Sequence, residues 1–208
     1  MSYMERAVEE LHKGFRLLNE HFFKGEELDT PVITIQNQGK RRGVLGWCTV
    51  YPVWKDKEGK VEQWEINITA EYLNRNWVDT MQTLLHEMVH LYNIRAGVKD
   101  TSRGTVYHNK RFKAEAEKRG LIVQYDPLLG WAITDLAPDT RAIIEKWDID
   151  PEAFKLARLG ESLDPKKPKK GKSSIKMVCP VCGNIARITK EYRLKCGECD
   201  EYMEEDSV

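Results

Sequence analysis

The sequence predicts an α+β protein: helices packed on a short, largely antiparallel sheet, followed by a much smaller cysteine-bearing unit. Three observations lead there. Segments with helical periodicity are interspersed with short β-branched runs and a hairpin pattern. The length, 208 residues, suits one domain of ordinary size plus something small. The composition also breaks sharply after residue 160. These place a first domain at residues 1–160, a linker at 161–174 and a compact piece at 175–208.

The first segment is helical, because Ala7, Val8, Leu11, Phe15, Leu18 and Phe22 recur at steps of three and four. Gly25 and Pro31 interrupt that pattern, and PVITI (31–35) reads as a strand. VLGWCTVYPVW (44–54) and VEQWEINIT (61–69) flank the polar KDKEGK and predict a hairpin. In its second arm Trp64, Ile66 and Ile68 alternate with Glu65 and Asn67, the pattern of a strand with one wet face. Asn76 can cap a helix that runs to a stop at Gly97, with Asp79 suiting its positive end. This helix is apolar around most of its circumference and belongs in an interior. After the polar loop 99–107, NKRFKAEAEKRG predicts a short helix closed by Gly120, and LIVQY (121–125) a strand. Helical stretches follow around 139–147 and 151–159.

Composition removes several classes. Hydrophobic residues make up 41% and charged residues 32%, enough for a core under a heavily charged surface. Lys plus Arg and Asp plus Glu each number 33, so any basic patch must be local. No run approaches the roughly 18 apolar residues of a membrane span, so no membrane partner is expected. MSYMERAVEELHKGF carries charges where a signal peptide needs an apolar stretch. The expectation is a soluble cytoplasmic protein, monomeric by default. Its five cysteines then need an explanation other than disulfides.

The apolar helix carries HEMVH. His86 and His90, four apart, share one helical face and can reach one metal ion. Glu87 lies beside them and can take a proton from a water on that ion without being a ligand. Three ionisable groups in an otherwise apolar helix are expensive unless they are used. A catalytic zinc takes three protein ligands and keeps one open position. Positions 93 and 96 hold Asn93 and Ala96, so the extended motif with a further histidine six residues on is absent. His12 and His21 lie on the first helix and read as surface or core-edge residues. His108, 18 residues after His90 and just ahead of the next helix, is the favoured third ligand, with Glu115 or Glu117 as alternatives. An oxyanion stabiliser should exist; Tyr92, Tyr107, Arg95 and Arg103 are near in sequence, but none stands out. Trp47 reads as a core aromatic that can also line a cleft, and Cys48 as a buried thiol.

In this order, HEMVH, a loop and then YHNKRF, the chain resembles the SprT-like (Spartan-type) metallopeptidases. FRLLNEHFF, the LGW ending at Trp47 and the strand before the paired histidines add to the likeness, which covers most of residues 10–135. Asn109 stands where many relatives have glycine. The resemblance implies a small zincin-like α+β domain in which His86, His90 and His108 bind zinc and Glu87 acts as acid and base. It implies protein substrates, often ones bound or crosslinked to DNA, and a C-terminal ribbon as in several members.

Cys179 and Cys182 form one CxxC, and Cys196 and Cys199 another after a gap of 13 residues. Two such knuckles make a closed tetrahedral zinc site, here a structural one that folds a zinc ribbon too small for its own core. Gly183 and Gly197 are expected to supply the turns, and the segment between the knuckles to form a short hairpin. The expectation is two zinc ions per chain. LDPKKPKKGKSS cannot bury surface and reads as a tether. Residues 161–199 carry ten basic and four acidic side chains. Lys166, Lys167, Lys169, Lys170 and Lys172 are candidates for gripping phosphates of single-stranded or non-specific DNA, with Tyr192 able to stack on a base. The leading expectation is a zinc-dependent endopeptidase acting on DNA-associated or DNA-crosslinked proteins. The alternatives are a nucleic-acid-binding adaptor with an idle peptidase site and a DNA-independent peptidase that cuts a regulator.

Overall fold

Ser2 starts the first helix by accepting from the Glu5 N–H while Glu5 reaches back to the Ser2 N–H, a reciprocal cap. This helix, α1 (Tyr3–Phe22), turns Ala7, Leu11, Phe15 and Leu18 wholly inward. The computed structural model describes residues 1–39, 43–102, 104, 106–159, 174–190 and 192–205. They divide into two units, Met1–Gly160 and Glu161–Val208. Of the linker expected at 161–174, residues 161–173 lie outside the described residues. Helices and small sheets mix in α+β fashion, and no helix among the described residues is long and apolar enough to cross a membrane.

In the first unit, β1 (Val32–Gln36) and β2 (Gly46–Cys48) flank β5 (Glu65–Thr69), and β3 (Trp54–Lys55) and β4 (Glu62–Gln63) make a separate small hairpin. The β1–β5 pairing is parallel and the β2–β5 pairing antiparallel. The expected wet face of β5 is not wet: Glu65 is 7% exposed and Asn67 and Thr69 are 0%. As the central strand, β5 has both neighbours and both faces covered. Its polar face is satisfied only in part. Glu65 accepts from Trp54 Nε1 at 2.8 Å and from Gln36 Nε2 at 3.1 Å, and Asn67 Oδ1 from Thr34 Oγ1 at 3.1 Å. Asn67 Nδ2 and Thr69 Oγ1 are buried without a protein partner among the described residues.

Helix α2 (Trp77–Arg95) is capped by Asn76, whose side chain accepts from the Val78 N–H, and it ends at Gly97 with φ +70°. It is buried almost all round, through Val78, Met81, Leu84, Leu85, Met88, Val89 and Leu91. Gly14 of α1 lets the two helices close: a Cβ there would sit 2.3 Å from Met81 Sδ. A second sheet holds β6 (Thr101–Ser102), β7 (Tyr107–His108), β8 (Leu121–Asp126) and β9 (Gly130–Leu136) in the order β6-β7-β9-β8. Its pairings are antiparallel except that of β7 with β9. Between β7 and β8 runs α3 (Lys110–Lys118), and α4 (Pro138–Ile144) follows β9. The helix expected over 151–159 is a single 3₁₀ turn, Pro151–Phe154, after which the chain leaves to let the Arg158 N–H reach the Ala70 carbonyl at 2.9 Å.

The second unit is a small sheet in which β10 (Ile175–Val178) lies between β11 (Ile185–Ile188) and β12 (Glu204–Glu205). The hairpin is therefore formed across the first cysteine knuckle, by β10 with β11, and not within the segment between the knuckles. Met177, Met203, Cys179 and Cys196 are its only buried apolar side chains among the described residues. That is too little to hold a fold unaided.

Candidate metal centre

Helix α2 presents His86 and His90 one turn apart, and β7 brings His108 to them. Two main-chain bonds fix the β7 end: His108 N–H to the Leu129 carbonyl at 2.8 Å and Asn109 N–H to the Asp100 carbonyl at 2.9 Å. The three Nε2 atoms converge, His108 lying 3.0 Å from His90 and 3.3 Å from His86. Phe112, the first inward residue of α3, underlies all three rings at centroid distances of 4.7, 4.5 and 4.7 Å. Asn109 caps α3 by accepting from the Arg111 and Phe112 N–H groups. Its backbone is extended, at φ −95° and ψ −177°. The position therefore does not require the glycine of many relatives, and asparagine supplies a cap that glycine lacks.

Nδ1 of two rings is engaged away from the centre: His90 Nδ1–H donates to Asp100 Oδ2 at 2.7 Å, and His86 Nδ1 hydrogen-bonds Thr134 Oγ1 at 3.1 Å. The Nε2 atoms of these two rings are left to face the common centre. Burial, reinforced by the neighbouring histidines, pushes His86 well below the ordinary value of 6.5, and burial with His90 brings His108 to about 4. Three imidazole nitrogens converging at 3.0 and 3.3 Å, beside a buried carboxylate, are a donor set that suits a divalent ion of the zinc type.

Glu87 is 5% exposed, and burial pushes its carboxyl up to about 7, against the pull of His90 and of the Cys48 N–H. Strand β2 lies directly over it: a Cβ on Gly46 would meet the Asn67 carbonyl at 2.8 Å, Thr83 Cγ2 at 3.0 Å and Glu87 Cγ at 3.3 Å. Cys48 packs on the main core from the same strand face, its thiol raised by burial and by Glu87 and Asp100. Trp47, expected in the core, is half-buried on the opposite face, paired across from Asn67.

The alternative ligands lie elsewhere. Glu115 pairs with Arg119 at 2.6 Å and Glu117 with Lys113 at 3.6 Å. Tyr92 donates to Glu26 and Arg95 pairs with Asp29, so neither serves the centre; Arg103 falls outside the described residues. Asp100 and Thr134 escaped the sequence reading. Asp100 is one acid in a polar loop, and Thr134 sits on β9, a strand whose GWAITDL lacks regular alternation.

In the second unit Cys179, Cys182, Cys196 and Cys199 bring one sulfur each within 4.8 Å of the others, and they too can hold a metal ion. The Glu198 and Cys199 N–H groups point at Cys196 and lower its thiol to about 6. Gly183 supplies a turn at φ +73°, whereas in the second knuckle the left-handed residue is Asp200, at φ 55°, and not Gly197. Lys166, Lys167, Lys169, Lys170 and Lys172 lie outside the described residues.

A family model described as the SprT-like family matches residues 11–125, more than half of the chain. No curated protein and no solved structure matches significantly. The match spans the second half of α1, the first sheet, α2 with its two histidines, His108 and α3. This chain belongs to the SprT-like family and carries a domain of metallopeptidase type.

Proposed function

We propose that this chain is a zinc-dependent endopeptidase with a zincin-like catalytic domain, acting on proteins associated with or crosslinked to DNA. The observation that carries this reading is the convergence of three imidazole nitrogens beside one buried carboxylate. His86, His90 and His108 would hold zinc, leaving a position open for reactants. When bound there, zinc supplies Lewis acidity, bringing the pKa of a water toward about 7 and polarising a carbonyl oxygen. Glu87 takes the proton from the attacking water and hands it to the departing amine. Burial holds this carboxyl above the ordinary carboxylate range, in the direction that suits a group that both takes and returns a proton. Asp100 and Thr134 orient two of the imidazoles.

The four cysteines would hold a second zinc with no open position, which folds the ribbon and takes no part in hydrolysis. DNA association is supported by the ribbon's exposed Arg187, Lys190, Arg193 and Lys195 together with Tyr192, 62% exposed. Such side chains grip phosphates and stack on bases without reading sequence. The test is cleavage of a DNA-bound protein with and without single-stranded DNA, with Glu87→Gln as control. The expected result is wild-type cleavage stimulated by DNA and suppressed by salt. Equal rates without DNA would favour a DNA-independent peptidase, and no cleavage under either condition an idle site.

A further inference from the structure

We infer that Asp100 is a positioning residue that clasps the helical and loop halves of the histidine centre into one geometry; this rests on the proposed metal site. Three bonds meet at this residue. Its Oδ2 accepts from His90 Nδ1–H at 2.7 Å and from Asn93 Nδ2 at 3.1 Å, both on α2. Its own carbonyl accepts from the N–H of Asn109, next to His108, at 2.9 Å. The following residue, Thr101, pairs with His108 across β6 and β7. The side chain thus sets the ring angle of one ligand while the main chain sets the approach of another.

Charge balance gives the clasp its connection to the ion. Asp100 is 3% exposed, and among the described residues its only partner at ion-pair distance is His90. A buried carboxylate is costly unless positive charge lies close by. A cation held on the far nitrogen of His90 would supply such charge through the ring, and the carboxylate in return would make that nitrogen a better donor. His86 has a hydroxyl, Thr134 Oγ1, in the equivalent place. Asp100 is therefore the one anion among the described ring partners. A loop clasp with no bearing on the ion would serve as well with a neutral amide of the same shape.

The test is metal affinity of the full chain, measured by competition with a chromophoric chelator, for wild type, Asp100→Asn and Asp100→Ala. Cobalt substitution separates the sites: the near-ultraviolet thiolate band reports the cysteine site, and the visible bands that remain once Cys179→Ser and Cys196→Ser are introduced report the histidine site. Asp100→Ala should weaken the histidine site by about 10–100-fold and alter its visible spectrum. Asp100→Asn should lie between, and the thiolate band should not move. If Asp100→Ala fails to fold, the isosteric Asp100→Asn carries the comparison alone. Wild-type affinity and spectrum in Asp100→Asn, with the ion bound, would overturn the inference and leave the metal site standing. No ion at the histidines of the wild type would overturn both.

Discussion

At Glu87 burial bears directly on the proposed chemistry. The low-dielectric position under β2 raises its carboxyl to about 7, above the ordinary carboxylate range, as suits a group proposed both to take and to give a proton. Replacing it with glutamine keeps the shape and removes the base. Glu87→Gln should keep both metal ions and lose roughly 10²–10⁴-fold in kcat; cleavage at the wild-type rate would exclude the proposed base. The pH dependence follows with a definite sign. Below its pKa Glu87 is protonated and cannot accept, so kcat/KM should rise with pH along an acid limb at or below about 7. A bound cation nearby favours the carboxylate and draws that limb lower. A rate that falls as pH rises through this limb would contradict the assignment. At this scale the sequence was informative for the donors: the four-residue spacing of His86 and His90 fixes one face of a helix. Their hydrogen-bond partners were not legible, because Asp100 lies 10 residues and Thr134 48 residues from the ligands they orient.

Among the elements, β2 packs closely on α2 at Glu87. Gly46 is a glycine because strand and helix leave no room for a side chain between Asn67, Thr83 and Glu87. Gly46→Val should cost about 1–3 kcal/mol as overpacking, seen as a lower denaturant midpoint, and should reduce cleavage more than chelator-measured metal affinity, since it displaces Glu87 and not the histidines. Undiminished stability and activity would show that the strand moves aside freely. Helix boundaries were readable wherever caps and stops carried them, as at Asn76 and Gly97. The strands were less so. The alternation in β5 suggested a wet face, but its central place between β1 and β2 buries Glu65 and Asn67, and sequence alone does not reveal which strand is central. The ribbon misled for a related reason: the knuckle itself forms the hairpin turn, so the pairing partner of β11 precedes the first cysteine.

For the molecule as a whole, two units carry two clusters of opposite design that could hold a metal ion, one of three nitrogens beside a buried carboxylate, the other of four sulfurs. The chemistry predicts independent occupancy. Metal analysis of the purified full chain should find two zinc ions in the wild type. His108→Ala should retain one, and Cys179→Ser combined with Cys196→Ser should lose the other while the histidine ion remains. Two ions still bound in His108→Ala, or a single ion in the wild type that leaves with the cysteines, would contradict the three-imidazole centre on which the proposed hydrolysis depends.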